Sequence, residues 1–294
     1  MESDYPDLAQ MSKDKYYQIW QNMGAALWRN LCNTTVAIVF VENGKPPVIS
    51  SGTCVQLGGR YFIATCAHAI IDHPNANFMI FLAVRLDALI HIPAHPLALL
   101  SPTPIAGMNF RKDDDVAWIE LDADQAVALG ANFVGPERIE VRRDDVQEDC
   151  MGVMGTPGAL ADPKALAAGD LRLIPLYYHT VALEGAPRDA RSVDSARDHF
   201  LAYPKGGNVG QNTEYVELPP AHGLSGAGVW CVHVHHEGVW TPEAAKLTAI
   251  QNAWHRDFIW LRTTRIQAWL NMIAEDIPEI ASVVRSIAGA ARPG

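Results

Sequence analysis

The chain has 294 residues, 49% hydrophobic and 19% charged, which excludes a disordered, collagen-like or coiled-coil protein and leaves a packed globule of one large or two moderate domains. Lys and Arg number 23 against 33 Asp and Glu, a net charge of −10. That balance lacks the clustered cations that grip a phosphate backbone, so nucleic acid is not expected as a partner.

The longest apolar run, Phe78 to Val84, is seven residues long and ends at Arg85, far short of the ~20 that a membrane-spanning helix needs. No membrane partner is expected. The first residues read Met-Glu-Ser-Asp-Tyr-Pro-Asp, acidic where a secretory signal is basic and then apolar, so the expected location is the cytoplasm. The five cysteines, Cys32, Cys54, Cys66, Cys150 and Cys231, are odd in number and form no CxxC pair. They read as free, buried thiols in a reducing compartment.

Residues 12–31 place Tyr16, Trp20, Met23, Leu27 and Leu31 at helical spacing. This predicts one amphipathic helix, closed near Asn33-Thr34 and packed on the main body. From Thr34 the texture changes to short β-type runs. Thr35–Val41 is followed by a Glu-Asn-Gly-Lys-Pro-Pro turn, and Gly52–Leu57 joins Arg60–Thr65 across Gly58-Gly59 as a hairpin. Further predicted strands are Phe78–Val84, Val116–Leu121, Gly152–Met154, Thr213–Leu218, Gly228–Val234 and Leu247–Gln251. Many short strands argue for antiparallel sandwiches or barrels.

Residues 122–149, charged and containing Gly135-Pro136, read as a crossing between two β units, and residues 184–212 read as loop. From Thr263 to about Ala288 helical spacing returns, with Ile266, Trp269, Leu270, Ile273, Ile277 and Ile280 on one face and Pro278 as a break. No internal repeat is visible.

Three segments carry chemistry: Thr65-Cys-Ala-His68 at the end of an apolar strand, Asp113-Asp-Asp115 directly before one, and the turn Gly223-Leu-Ser225-Gly-Ala-Gly228. A serine hydroxyl is a weak nucleophile until an imidazole takes its proton. The imidazole works better when a carboxylate fixes its tautomer. The oxyanion that forms needs N–H donors, which glycines let the backbone turn inward. Either Asp113 or Asp114 could replace Asp115 after a slip of register. Asp115 is favoured because it directly precedes the strand.

These segments resemble those of trypsin-like (chymotrypsin-fold) serine peptidases. Thr-Cys-Ala-His resembles their Thr-Ala-Ala-His, Asp115-Val-Ala-Trp-Ile their Asp-Ile/Val-Ala-Leu strand, and Gly-Leu-Ser-Gly-Ala-Gly their Gly-Asp-Ser-Gly-Gly. Ser51-Gly-Thr-Cys-Val is similar to the Gly-x-Gly-Phe-Val strand of bacterial members. The order His68, Asp115, Ser225 is the family's. The resemblance implies an all-β fold of two six-stranded antiparallel barrels. Residues 1–33 would form a helical extension and 34–125 the barrel carrying His68 and Asp115. Residues 126–262 would form the barrel carrying Ser225, and 263–294 a helix and tail. It also implies an oxyanion hole made by the N–H groups of Gly223 and Ser225.

The family's primary pocket would be walled here by Leu218–His222 and Ala249–Ala253, with Pro219, His222, Ile250, Gln251 and Asn252 as substrate contacts. Pro219 falls where trypsin's pocket acid lies, which removes support for Arg or Lys and leans toward a small or apolar side chain. Leu224 stands where trypsin-type zymogens place an activating acid, so activation by that route is not expected. The segment Leu218–Trp230 and the ending Ile259–Trp269 are most similar to stand-alone trypsin-like peptidases of bacterial conflict and antiphage systems. That likeness implies cleavage of a specific intracellular protein partner, with an activating partner or signal. The mechanism needs no cofactor and no metal. His233, His235 and His236 could bind zinc, but without a Cys pair or HExxH helix they read as a strand end or turn. His222 reads as pocket lining or simple loop, and Cys66 as core packing. The competing function is a catalytically silent binding or sensing module on the same scaffold.

Overall fold

The computed structural model of the chain describes residues 13–41, 47–74, 77–82, 106–141, 150–160, 173–209, 214–232, 240–255 and 259–290. Helix α1, Lys13–Leu31, runs as its spacing predicts. Met23, Leu27, Trp28 and Leu31 are buried, and the indole N–H of Trp28 donates to Pro175 O at 3.1 Å. The turn Cys32–Thr34 closes it, where Thr34 and Thr35 hydroxyls both donate to Leu31 O.

Six strands form the first sheet: β1 Thr35–Val41, β2 Val48–Leu57, β3 Arg60–Thr65, β4 Asn77–Leu82, β5 Gly107–Arg111 and β6 Val116–Leu121, in the order β4-β1-β2-β3-β6-β5. Strands β1, β3 and β6 read as nearly unbroken apolar runs because both faces are covered, and β2 is buried over most of its length although it carries Ser50, Ser51 and Thr53. The second sheet holds β7 Cys150–Gly155, β8 Leu176–Val181, β9 Asp198–Ala202, β12 Gly228–Cys231, β13 Lys246–His255 and β14 Trp260–Arg265, in the order β8-β7-β12-β13-β14-β9. Its ends meet, since Ala182 bridges Leu201 and Leu183 N–H donates to Phe200 O at 2.8 Å. Strands β10, Gly206–Val209, and β11, Glu214–Glu217, pair as a separate hairpin. All pairings within the sheets are antiparallel. This is the expected all-β, chymotrypsin-like two-barrel fold with helices at both ends.

Two short helices precede the crossing between sheets. Helix α2, Ala67–Ile71, follows β3, and α3, Ala123–Leu129, follows β6. Asp122 caps α3: its carboxylate accepts from Gln125 N–H at 2.7 Å while Gln125 Oε1 accepts from Asp122 N–H at 3.0 Å. The crossing then pairs with both sheets, as Val134 exchanges bonds with Cys54 and Gln56 of β2 and Glu140 N–H donates to Leu247 O of β13.

Several sequence expectations are corrected. Residues 184–212 are not all loop, since β9 and β10 lie among them, and β5, β8 and β14 also lack a predicted counterpart. The C-terminal helix does not start at Thr263: β14 runs to Arg265, followed by α4, Ile266–Asp276, a turn Pro278–Ile280, and α5, Ala281–Gly289. Thr263 and Thr264 stay extended because they pair with His199 and Asp198 of β9. The break at Pro278 falls where expected. The turn after β1, Ala83-Val84 and His233, His235 and His236 lie outside the described residues. Among the described residues no helix is long and apolar enough to cross a membrane.

One core joins both sheets and the terminal helices, through Leu27 and Leu31 of α1, Phe62, Trp118, Trp230 and Trp269. Helix α4 braces the first sheet, with the Trp269 indole N–H donating to Ala117 O at 2.9 Å. His179 of β8 sits edge-on to Trp20 at 5.1 Å and to Tyr177 at 5.0 Å. Burial pushes its imidazole down to about 4. An unfolded His179 takes a proton near pH 6.5, whereas the folded one resists until about 4. Its contribution to stability is therefore complete above pH 6.5 and is lost as pH falls toward 4, by up to about 3 kcal/mol. Urea midpoints at pH 7 and pH 4.5 should converge by that amount in His179→Phe, relative to the parent protein.

Candidate active site

The site lies where β3 and β6 of the first sheet face the turn before β12 of the second. His68 is held by Asp115 twice. Its backbone N–H donates to Asp115 Oδ1 at 2.9 Å, and its Nδ1 lies 2.9 Å from Oδ2. On the other side of the ring, Nε2 lies 3.0 Å from Ser225 Oγ. The three residues expected from the sequence are thus in contact, and their side chains remain partly open, His68 at 37% and Asp115 at 28%. Burial alone would lower the proton affinity of His68. The hydrogen bond and charge of Asp115 outweigh it and raise the proton affinity of the imidazole above its ordinary value.

Of the three consecutive aspartates, Asp115 is the one that meets His68. Its φ of 50° is left-handed, a conformation that Asp tolerates better than most residues. Its neighbours are tied to the second sheet. Arg197 Nη1 donates to Asp113 O at 2.5 Å and to Asp114 Oδ1 at 3.3 Å, and Thr264 Oγ1 donates to Asp114 O at 3.0 Å. Arg197 is itself set by Asp198, a buried carboxylate shared with Arg262.

The serine turn is fastened from β2. Ser51 N–H and the Ser50 hydroxyl donate to Ser225 O at 2.7 and 2.6 Å, and the Ser51 hydroxyl donates to Gly223 O at 2.7 Å. His222 O accepts from Gly158 N–H and Leu224 O from Ala227 N–H, both at 2.7 Å. In a planar trans peptide the N–H points away from its carbonyl. Gly223 N–H and Ser225 N–H are therefore turned away from these anchors, and among the described residues neither meets an acceptor.

Two glycines make the turn possible. Gly223 has φ 93°, and a Cβ there would lie 2.4 Å from Gly158 N. Gly226 has φ 89°, and a Cβ there would lie 2.0 Å from Ser51 O. Gly226→Ala should therefore destabilise the protein by at least about 2 kcal/mol, from left-handed strain plus displacement of β2. A urea melt measures this, and a midpoint equal to the parent's would refute the close approach.

The expected pocket residues are placed unequally. Pro219 is half-buried and its carbonyl accepts from Tyr203 OH at 2.5 Å. His222 is exposed and meets Trp254 edge-on at 5.1 Å. Ile250 is wholly buried in the shared core. Gln251 and Asn252 are buried. The Gln251 backbone is bonded to Gly226 and Ala227, and Asn252 Nδ2 donates to Thr264 Oγ1 at 2.7 Å. Asn252 occupies a register shift between Gln251 and Ala253, the kind of bulge that re-aims side chains beside functional sites. Ser50, Ser51, Arg197 and Trp254 were not singled out by sequence. Only the Ser51-Gly-Thr-Cys-Val likeness pointed at any of them. The five cysteines are all buried and none is in a disulfide, as expected, and Cys66 Sγ lies 3.7 Å from His68 Nε2.

No protein-family model matches the chain, and no curated protein matches it. Among solved structures it is similar to a Glu endopeptidase at 11% identity over 83% of this chain and 90% of that one, with TM-score 0.46. A thermostable serine protease, AL20, from an extremophilic microorganism matches at 12% identity over 80% and 90%, with TM-score 0.44. The HtrA-type protease AlgW matches at 11% identity over 86% of this chain and 63% of that one, with TM-score 0.48. At these identities and scores the likeness is one of chain path, and the trypsin-like protease fold itself rests on the strand order and pairing described above.

Proposed function

We propose that the chain is a serine endopeptidase acting through an acyl-enzyme. The observation that carries this reading is the unbroken contact from Asp115 Oδ2 to His68 Nδ1 at 2.9 Å and from His68 Nε2 to Ser225 Oγ at 3.0 Å, beside two N–H groups free to receive an oxyanion. Ser225 Oγ attacks the scissile carbonyl as His68 Nε2 accepts its proton. Asp115 holds Nδ1–H, so that Nε2 is the accepting nitrogen, and it stabilises the imidazolium. Gly223 and Ser225 N–H groups bind the oxyanion. His68 returns the proton to the leaving amine, and a water that it activates then releases the acid from Ser225.

The substrate is a protein or peptide. His222, exposed three residues before Ser225 and edge-on to Trp254, is the residue we assign to substrate contact. The narrower setting, a specific intracellular partner in bacterial conflict, rests on the sequence around Ser225 and the C-terminal segment.

A fluorophosphonate tests the reading, because only an activated hydroxyl displaces its fluoride. One adduct on Ser225 is expected, located by peptide mass spectrometry. A folded protein that remains unlabelled at Ser225 would refute it. Cleaved neo-termini compared between cells carrying the parent and Ser225→Ala identify the substrate.

A further inference from the structure

Among the described residues, Cys66, His68 and Asp115 form a group of metal-capable side chains whose donor atoms lie within 4.8 Å of one another. The hydrolytic mechanism uses two of them and leaves the thiol of Cys66 idle. That thiol is not placed as a nucleophile, since its residue is fully buried. It is placed as a ligand. Sγ lies 3.7 Å from His68 Nε2, and Nε2 lies 3.0 Å from Ser225 Oγ. With zinc–sulfur and zinc–nitrogen bonds of ordinary length, the S···N edge of a zinc tetrahedron is about 3.5 Å and the N···O edge about 3.3 Å. The Sγ–Nε2 separation is therefore close to one edge of such a tetrahedron, and the Nε2–Oγ separation is close to another.

We infer that Cys66 Sγ and His68 Nε2 bind a thiophilic divalent cation, zinc by its preference for sulfur and nitrogen, and that the bound ion silences Ser225. Asp115 remains on Nδ1 at 2.9 Å, in the role of the outer carboxylate that orients a zinc-bound imidazole. The His68 side chain is 37% exposed, which gives an ion access to the ring. Binding converts Cys66 S–H to thiolate and releases one proton to solvent, with no change in oxidation state. The metal takes the Nε2 lone pair that the mechanism needs to accept the proton of Ser225. Ser225 Oγ or water completes the shell. The silencing rests on the peptidase reading, whereas the ligand pair does not.

Cobalt(II) and zinc(II) separate the two. Titrating cobalt(II) into the full chain should give a thiolate-to-cobalt charge-transfer band and tetrahedral visible bands. Zinc(II) should displace them, and Cys66→Ala and His68→Ala should each abolish them. Absence of the bands, or their persistence in Cys66→Ala, overturns the site. In parallel, fluorophosphonate labelling of Ser225 should slow about 100-fold at zinc about 100 times its dissociation constant. Cys66→Ala, which leaves the Asp115 and Ser225 contacts of His68 in place, should lose the zinc dependence, labelling at one rate of its own with or without zinc. Equal slowing in Cys66→Ala overturns the inference. No labelling at all, with the cobalt spectrum intact, refutes the peptidase reading and leaves the metal site standing.

Discussion

Ser225→Ala should lower kcat/KM by about 10⁶-fold, because the nucleophile is removed and the paired His68 has no proton left to accept. A residual rate above water is expected, since the N–H groups of Gly223 and Ser225 still polarise the scissile carbonyl. The fold should be unchanged. Among the described residues, the hydrogen-bond partner of Ser225 Oγ is His68 Nε2. The bonds from Ser50 and Ser51 that fasten the turn go to the Ser225 carbonyl, which alanine keeps. Steady-state hydrolysis of a peptide spanning an identified neo-terminus checks the rate, and a urea melt checks the fold. A variant that cleaves within about tenfold of the parent would remove Ser225 from the mechanism.

Asp115→Asn should cost about 10⁴-fold in kcat with little loss of stability. The amide matches the carboxylate in shape, and its oxygen can still accept from the His68 backbone N–H. Asn also tolerates the left-handed φ of 50°. What changes is the proton count. The amide N–H₂ turned toward Nδ1 favours the tautomer with hydrogen on Nε2, which cannot accept a proton from Ser225. The charge that stabilised the imidazolium is lost as well. Asn at position 113 or 114 should be nearly silent in kcat, since those residues meet Arg197 and Thr264 and do not meet His68. If Asp114→Asn proved as damaging as Asp115→Asn, the placement of the orienting acid would be wrong. The ratio of the two kcat losses is the measurement.

The parts of the fold readable in advance are those whose signal is local. Strands β1, β3 and β6 are apolar over almost their full length, and α1 shows Met23, Leu27 and Leu31 on one face, so burial and period announce them. Other strands hide because their residues are stabilised by partners far away. Asp198 opens β9 as a buried carboxylate, a choice that makes sense only with Arg197 and Arg262 beside it. In β14 the polar run Arg262-Thr-Thr-Arg265 continues into a helical pattern, and pairing with β13 and β9 decides where the strand stops. Strand β5, Gly-Met-Asn-Phe-Arg, is a short edge with Met108 and Phe110 exposed, so no buried apolar run marks it.

The site divides the same way. By itself, the sequence determined the residue types and their order: a histidine ending an apolar strand, an acid opening one, and a serine between glycines that can adopt the backbone it needs. Those are short-range properties of dihedral freedom and burial. Which aspartate faces the imidazole was decided by the pairing of β3 with β6, and where the N–H groups of the turn point, and that a buried thiol shares the Nε2 side of His68 with Ser225, only when the two sheets packed. Contacts between residues 47 and 157 positions apart have no local code. They follow from the registers of β3, β6 and β12, which the shared core fixes all at once.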